Sequence, residues 1–492
     1  MPAEPVYPGV YVDEVSGGVQ PIIGVATSIA LFIGWAAKGP IDRAVRIASI
    51  AEFEAQYGGL DLRSYLGYAV HHFYENGGSI AYVIRLAGAD VRTAACTVGG
   101  LRIEGLSPGD WANGISIATR QDKDDPGRFQ LQIADADGVV REQLTRLSMT
   151  PEDDGYAPAI INGASRLVKA TATSPVVPAD DIVLLAGGDA GAVIAPDAAG
   201  PLGEKFRAGL LALFDAGGLA TQIDLFNLIC VPGLVDAATI STLQSCARER
   251  RAFLLVDCEE SATLADVAAS LAGKTGANAD CAAFYFPWIK APDALQGGAL
   301  RSFPPGGFVA GLIARTDAQR GIWKGPAGLD ASLVGGAGLT VNLTDAENGV
   351  LNPQAINCLR TFPNAGTVAW GARTMAGADG SGSGWKYIPV RRTALFIEES
   401  LARGLRWAVF EPNDEALWAA IRSSVGAFMN GLFRQGAFKG LTPKDAYFVQ
   451  CDRATTSQAD IDMGFTNILV GFAPLKPAEF VIISLRQMAG RS

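Results

Sequence analysis

Asp224-Leu-Phe-Asn-Leu-Ile-Cys-Val231, Ala252-Phe-Leu-Leu-Val-Asp257 and Cys281-Ala-Ala-Phe-Tyr-Phe286 are three apolar runs separated by helical patterns. The helical stretches are Ala237–Arg250 and Leu264–Ala272, with Glu204–Asp215 ahead of the first run. A strand that is apolar without alternation is covered on both faces, as strands inside a parallel sheet are. Strand–helix alternation of this kind predicts an α/β domain over residues 201–375. Pro304–Thr316 begins another helical segment, and Ile356–Phe362 and Thr367–Arg373, joined by Pro-Asn-Ala-Gly, read as a hairpin.

The flanking sequence changes character twice. Residues 21–90 mix strand and helix and form the N-terminal part of the core: Val25–Ile33 and Ile80–Leu86 read as strands, Ser49–Tyr57 and Leu62–Glu75 as helices. Over 91–185, turns recur at Gly99-Gly100, Pro108-Gly109, Asn113-Gly114, Pro126-Gly127 and Asp137-Gly138, between short alternating runs. That spacing predicts an all-β insertion domain, a barrel or sandwich. Residues 186–200 and 376–384 are linkers rich in Ala and Gly. The C-terminal α+β domain spans 385–475. In it Thr393–Arg403 reads as a helix, Arg406–Phe410 as a strand and Asn413 as an N-cap. From Leu417 the positions Ile421, Val425, Phe428 and Leu432 make one apolar stripe. Phe448–Asp452 and Ile468–Phe472 read as strands.

Both ends carry strand-like arms. Val6-Tyr-Pro-Gly-Val-Tyr-Val-Asp-Glu-Val15, in an arm of residues 1–20, is cut off by Gly17, Gly18 and Pro21. Phe480-Val-Ile-Ile-Ser-Leu485, in residues 476–492, lies beyond Pro474 and Pro477. A strand on a Pro-punctuated tether needs a partner edge, and strand addition to another chain supplies one. The two arms point to an assembly protein.

Composition narrows the class. The 492 residues are 49% hydrophobic and 18% charged, which describes an ordered protein with several domains. A net charge of −10 argues against nonspecific nucleic-acid binding. Val15–Ala37 has no charge and is long enough to span a bilayer, but Pro21, Gly24, Thr27 and Ser28 interrupt it and basic flanks are missing. It is expected to be a buried strand, with no membrane insertion. No export signal is read, so synthesis is expected in the cytoplasm. Seven cysteines, without a Cys-x-x-Cys pair, read as core residues of a reducing compartment.

Chemistry is sparse. The two histidines, His71 and His72, are adjacent on a helix and point about 100° apart, so a shared metal is not expected. The α/β region has no His to serve as a general base. Gly380-Ser-Gly-Ser-Gly384 matches a nucleophile-elbow pattern but lies in a linker. Ala272-Gly-Lys-Thr275 resembles a phosphate-loop tail, with Ala268 where its first Gly belongs. Glu259-Glu260, Glu398-Glu399 and Asp460/Asp462 read as solvated or helix-end carboxylates. No catalytic residue, cofactor or metal is expected. The alternatives open to such an arm-bearing chain are a self-assembling tube or shell protein and, further off, a hydrolase.

A set of short motifs, each weak alone, falls in one order along the chain. They are Tyr7-Pro-Gly-Val-Tyr11, Phe73-Tyr-Glu-Asn-Gly-Gly78, Phe303-Pro-Pro-Gly-Gly307, Ala314-Arg-Thr-Asp317, Gly321-Ile-Trp-Lys324 and Leu351-Asn-Pro353. Trp370-Gly-Ala-Arg-Thr374, Trp385-Lys-Tyr-Ile-Pro-Val-Arg-Arg392, Phe410-Glu-Pro-Asn-Asp414, Leu417-Trp418 and Phe433-Arg-Gln-Gly436 complete it. In these the chain resembles the contractile tail sheath proteins of phages and phage-like injection systems.

The resemblance implies an inactive subtilisin-like α/β core, with Arg373 and Thr374 where a nucleophile segment would run. It implies six-membered rings stacked helically around an inner tube protein, with baseplate and terminal cap proteins as further partners, inside a phage tail or tail-like particle. Subunits would be joined by strands exchanged through Val6, Tyr7, Val10, Tyr11, Val12, Phe448, Val449, Gln450, Ile468, Leu469, Val470, Phe480, Val481, Ile482, Ile483 and Leu485. Gly17, Gly18, Pro474 and Pro477 would be hinges. The C-terminal domain is innermost in that family, which makes Arg422 and Arg434 candidate tube contacts. The insertion is expected to project outward. Type VI secretion sheaths are split between two proteins, and a single chain with both arms departs from that arrangement.

Overall fold

The computed structural model describes residues 20–479. They divide into two compact units, one of residues 28–319 and 326–386, the other of residues 20–27, 320–325 and 387–479.

The larger unit is built on an eight-stranded sheet. Its order is Gly366–Ala369, Ile356–Phe362, Ala282–Phe286, Phe253–Asp257, Leu228–Cys230, Ala30–Trp35, Ala81–Leu86, Val45–Ile47. The six inner strands run parallel and the two outermost pair antiparallel. Every residue of Ala30–Trp35, Phe253–Asp257 and Ala282–Phe286 is buried, as apolar runs without alternation require. Within the charge-free stretch the strand is Ala30–Trp35. Among the described residues no helix is long and apolar enough to cross a membrane.

Helix ends follow local chemistry. Ser49 caps Ile50–Tyr57 by accepting from the Glu52 N–H at 3.2 Å, and Asp236 caps Ala237–Glu249 by accepting from the Thr239 N–H at 2.9 Å. The segment compared with a nucleophile segment is a brace. Asn357, fully buried, donates to the carbonyls of Phe284 (3.1 Å) and Arg373 (2.8 Å) and accepts from the Arg373 N–H (2.7 Å). Ala272-Gly-Lys-Thr275 ends the helix Val267–Lys274, and Lys274 is buried with its ammonium 2.5 Å from Glu259.

Asp257 ends its strand fully buried. Its carboxylate accepts from the N–H groups of Gly306 (2.8 Å) and Gly233 (3.0 Å). Burial pushes its pKa up to about 7, against the lowering effect of those two donors. A carboxyl with a raised folded-state pKa binds its proton more tightly when folded. Its contribution is therefore complete below the unfolded value of roughly 4 and lost as pH rises through about 7. Melting temperatures of the wild type and Asp257→Asn, compared from pH 5 to 8, should converge on a flatter profile in the variant; parallel profiles would refute this assignment.

The insertion departs from the all-β expectation. It holds a three-stranded sheet (Ala95–Val98, Leu101–Gly105, Val168–Ala172) and a four-stranded one (Asp181–Leu184, Ser116–Gln121, Arg128–Ala134, Val140–Ser148). One core, including Ile103, Ile117, Leu131, Ile133 and Leu147, joins them. The helix Ala157–Ala164, with Pro158 in its first turn, adds Ala157 and Ile161 to that core. Eight residues between turn signals are too few for a helical period to stand out in the sequence. The stretch read as a linker is also partly paired: Ala186 bridges Ala95, and Asp189 bridges Arg92.

Arg85 ties the insertion to the sheet. Its buried guanidinium donates to the carbonyls of Gly39 (2.6 Å), Pro108 (2.7 Å) and Ala37 (3.3 Å). Gly109 allows this approach: a Cβ there would lie 2.3 Å from the Ala37 oxygen.

Candidate assembly surface

The smaller unit has two long helices, Ile388–Gly404 and Glu415–Arg434, and a two-stranded antiparallel sheet, Tyr447–Gln450 with Leu469–Phe472. Pro389 opens the first helix, where its missing N–H costs nothing. The second begins at Asp414, not Asn413. The Asp414 carboxylate accepts from the N–H groups of Ala416 (2.9 Å) and Leu417 (3.0 Å). Asn413 is instead a clamp: its carbonyl oxygen accepts from Trp418 Nε1 and Thr466 Oγ1, each at 2.8 Å, and its amide donates to the Phe465 carbonyl at 2.9 Å.

Arg406–Phe410 is no strand. Residues Arg406–Ala408 form a 3-10 turn, and Phe410 takes φ 72° with its side chain fully exposed. The Ala408 and Val409 N–H groups turn back onto the Leu405 and Arg406 carbonyls (3.0 and 3.3 Å), so the segment closes on itself and cannot be extended.

Residues 20–27 lie along the helix Ile388–Gly404. The Val25 N–H donates to Ser400 Oγ (3.1 Å), Arg392 donates to the Thr27 carbonyl (2.8 Å), and Ile22 belongs to the same core. Gly404 lets Ile22 approach, because a Cβ there would meet it at 2.6 Å. Nothing in the sequence pattern marked this anchor.

The helix Glu415–Arg434 buries Leu417, Trp418, Ile421, Ser424, Val425, Met429 and Leu432. Phe428 of the expected stripe is only half-buried. The paired strands alternate. Tyr447, Val449, Val470 and Phe472 pack on the core, while Phe448 and Leu469 face away, 53% and 52% exposed. The register pairs Tyr447 with Phe472 and Val449 with Val470. The Phe448 ring lies over Gly471, where a Cβ would meet it at 2.2 Å. Ile468 precedes its strand and packs on the core. The sheet has two strands among the described residues.

The remaining expected site residues separate as follows. Val6, Tyr7, Val10, Tyr11, Val12, Gly17, Gly18, Phe480, Val481, Ile482, Ile483 and Leu485 lie outside the described residues. Pro474 forms an isolated antiparallel bridge with Phe438, and Pro477 follows it. Arg422 is engaged within its own unit, donating to the Cys451 carbonyl and to Glu415 Oε1 (2.7 Å). Arg434 is exposed near the helix end. Burial raises the Tyr447 pKa, and the Arg434 charge acts in the opposite sense.

In the larger unit, a cavity of about 200 Å³ lies where Ala30–Trp35 and Leu228–Cys230 end, lined by Trp35, Tyr65, Arg63 and Arg301 among others. It is below the roughly 300–1,000 Å³ of ordinary small-molecule sites. Arg63 is held by Asp61 at 2.9 and 2.6 Å, and Arg301 by Asp293 at 3.4 Å. Burial and the neighbouring Asp257 push the Cys230 thiol pKa well above its ordinary value, so it is a poor nucleophile.

Comparison with known proteins gives this surface its context. Residues 220–375 match the phage tail sheath protein central domain, and residues 381–487 match the phage tail sheath C-terminal domain. The chain is 25% identical over 455 residues to the tail sheath protein of Burkholderia phage BcepMu, covering 88% of this chain and 87% of that one. A sheath tail protein from Listeria innocua superposes with a TM-score of 0.64 at 15% identity, over 92% of this chain and 96% of its own. The PVC sheath of an extracellular contractile injection system, in its contracted state, gives 0.62 at 23% identity over 99% and 98%. The fold is that of a tail sheath protein. The chain belongs to the phage tail sheath protein family.

Proposed function

We propose that this chain is the contractile sheath subunit of a phage tail or phage-tail-like injection particle, and that it acts without catalysis. The observation that carries this is the near full-length match to a tail sheath protein of almost the same extent. In this reading subunits form six-membered rings stacked around an inner tube, bounded by baseplate and cap proteins. The α/β unit is an inactive relative of the subtilisin fold, and assembly takes place in the bacterial cytoplasm.

The exposed two-stranded sheet supports strand exchange. Its two strands are the whole of the sheet among the described residues, so arms of neighbouring subunits would extend its edges, and Phe448 and Leu469 supply apolar area beside them. Each added hydrogen bond contributes about 1 kcal/mol net. Each buried Val, Ile, Tyr or Phe adds roughly 1.5–3 kcal/mol. Such tethers outlast a rearrangement in which weaker polar contacts between subunits slide and re-form. Contraction then follows from two packings of one subunit that differ in free energy, with no nucleotide consumed.

Negative-stain imaging of the purified chain, alone and with its tube protein, tests the proposal. Striated tubes or cogwheel rings are expected; closed shells or monomers only would overturn it.

The proposed tube contact rests on Arg434, because Arg422 braces the helix against Cys451 and Glu415. Arg434→Glu should abolish co-assembly with the tube and spare sheath-only polymers, as read by co-sedimentation. Arg422→Glu should also lower the melting temperature of the smaller unit. Unchanged co-sedimentation of Arg434→Glu would move the contact elsewhere.

A further inference from the structure

Both histidines of this 492-residue chain turn onto one carboxylate oxygen. His71 Nδ1 lies 3.4 Å and His72 Nδ1 3.2 Å from Glu75 Oε2, and all three residues belong to the helix Leu66–Glu75. The three donor atoms lie within 4.8 Å of one another. Adjacent positions on a helix diverge by about 100° at Cα. Rotation about the side-chain bonds closes that angle and brings both Nδ1 atoms to one carboxylate oxygen.

The surroundings hold the cluster in place. The His72 ring stacks on Phe308 (3.8 Å between centroids, 17°) and meets Phe303 edge-on at 5.3 Å. Gly335 lies over the donors with φ +84°, and a Cβ there would be 3.0 Å from Glu75 Oε2 and 3.9 Å from His72 Nδ1. That side of the cluster is therefore free of a side chain. The His71 and Glu75 side chains are 34% and 33% exposed, which leaves an entry path.

We propose that His71, His72 and Glu75 bind one divalent transition-metal ion of the zinc class, with a remaining position open to water. Zinc bonds to imidazole nitrogen and carboxylate oxygen are about 2.0–2.2 Å long, which sets tetrahedral ligands about 3.3 Å apart. The two nitrogen–oxygen distances, 3.4 and 3.2 Å, match that spacing, and all three atoms lie within 4.8 Å of one another, which leaves the nitrogen–nitrogen edge to close on binding. Two imidazoles and one carboxylate suit zinc, cobalt, nickel or copper, whereas calcium and magnesium favour oxygen ligands. With Nδ1 on the metal, each ring keeps its proton on Nε2. His72 Nε2 has no hydrogen-bond partner, so the outer support that ligating histidines usually have is missing. Binding weaker than that of a closed structural site is expected.

The test uses the tag-free full-length chain, stripped with EDTA and titrated with zinc chloride in a calorimeter. One ion per chain should bind saturably and raise the melting temperature. His71→Ala and Glu75→Gln should each weaken binding by about 10-fold or more, while circular dichroism shows both variants folded. Cobalt(II) added to the wild type should give the intense visible absorption of a four-coordinate ion, absent in His71→Ala. Absence of saturable binding to the wild type would overturn the proposal. So would equal binding by wild type and both variants, which would assign the ion to other groups such as the cysteines.

Discussion

A chain lacking residues 1–16 will remain soluble and melt cooperatively, yet form no tubes. The cut removes Val6, Tyr7, Val10, Tyr11 and Val12 but spares the anchor of the smaller unit: Ile22 in the core, the Val25 N–H on Ser400 and the Thr27 carbonyl on Arg392. Folding therefore keeps its contacts, and under the proposed strand exchange the loss falls on the bond between subunits. That loss comprises several hydrogen bonds at about 1 kcal/mol each and apolar side chains at roughly 1.5–3 kcal/mol each, less about 1–2 kcal/mol per residue for ordering the arm. Since every subunit of the proposed ring would lose the same tether, polymer should fall below detection in sedimentation and negative-stain images. Tubes of wild-type length from the truncated chain would remove strand exchange from the proposal while leaving the family assignment intact.

Arg85→Ala will lower the stability of the larger unit by about 3 kcal/mol, since it takes a donor from one buried carbonyl and two part-buried ones, and a fully buried carbonyl left unpaired costs roughly 1–3 kcal/mol. Those carbonyls belong to Ala37 and Gly39 beside the sheet and to Pro108 in the insertion. Lys38 over the Trp111 ring at 4.5 Å and the Gly39 N–H on Ser107 Oγ at 3.0 Å cross the same junction. Burial pulls the Arg85 pKa down to about 10, so it stays cationic at neutral pH. Hydrogen exchange should therefore accelerate first at residues 37–39 and 107–109, before the sheet interior. Uniform loss of protection would mean that Arg85 supports the whole unit and not this junction. The result bears on the proposal that the insertion projects outward. Replacing residues 92–185 with a Gly-Ser linker removes Pro108 and Ser107 and orphans Arg85. Paired with Arg85→Met, the same replacement should still give contractile tubes, of smaller diameter.

The parallel sheet and its helices were legible because burial on both faces leaves a local mark. Phe253–Asp257 and Ala282–Phe286 are apolar throughout, and nothing distant in sequence is needed to read them. The two exposed strands of the smaller unit were legible for a related reason, since one buried face imposes a period of two. Shorter elements were not: in the helix Ala157–Ala164 and the turn Arg406–Ala408, punctuation outweighs periodicity.

Polar partners were the other blind spot. Arg422 read as an outward cation because its own helix offers it a polar face, but beside Glu415 its partner is the Cys451 carbonyl, 29 residues further along the chain. Arg85 read as part of a strand, and its partners include a carbonyl of the insertion. His71 and His72 read as divergent because helical spacing fixes Cα directions and not side-chain torsions. The sequence by itself determined which segments are buried, and through the ordered motifs, which family they belong to. Only the tertiary structure decided which long polar side chains meet. A hydrophobic pattern is a property of one segment, whereas a hydrogen bond or a shared ligand depends on where two segments are brought together.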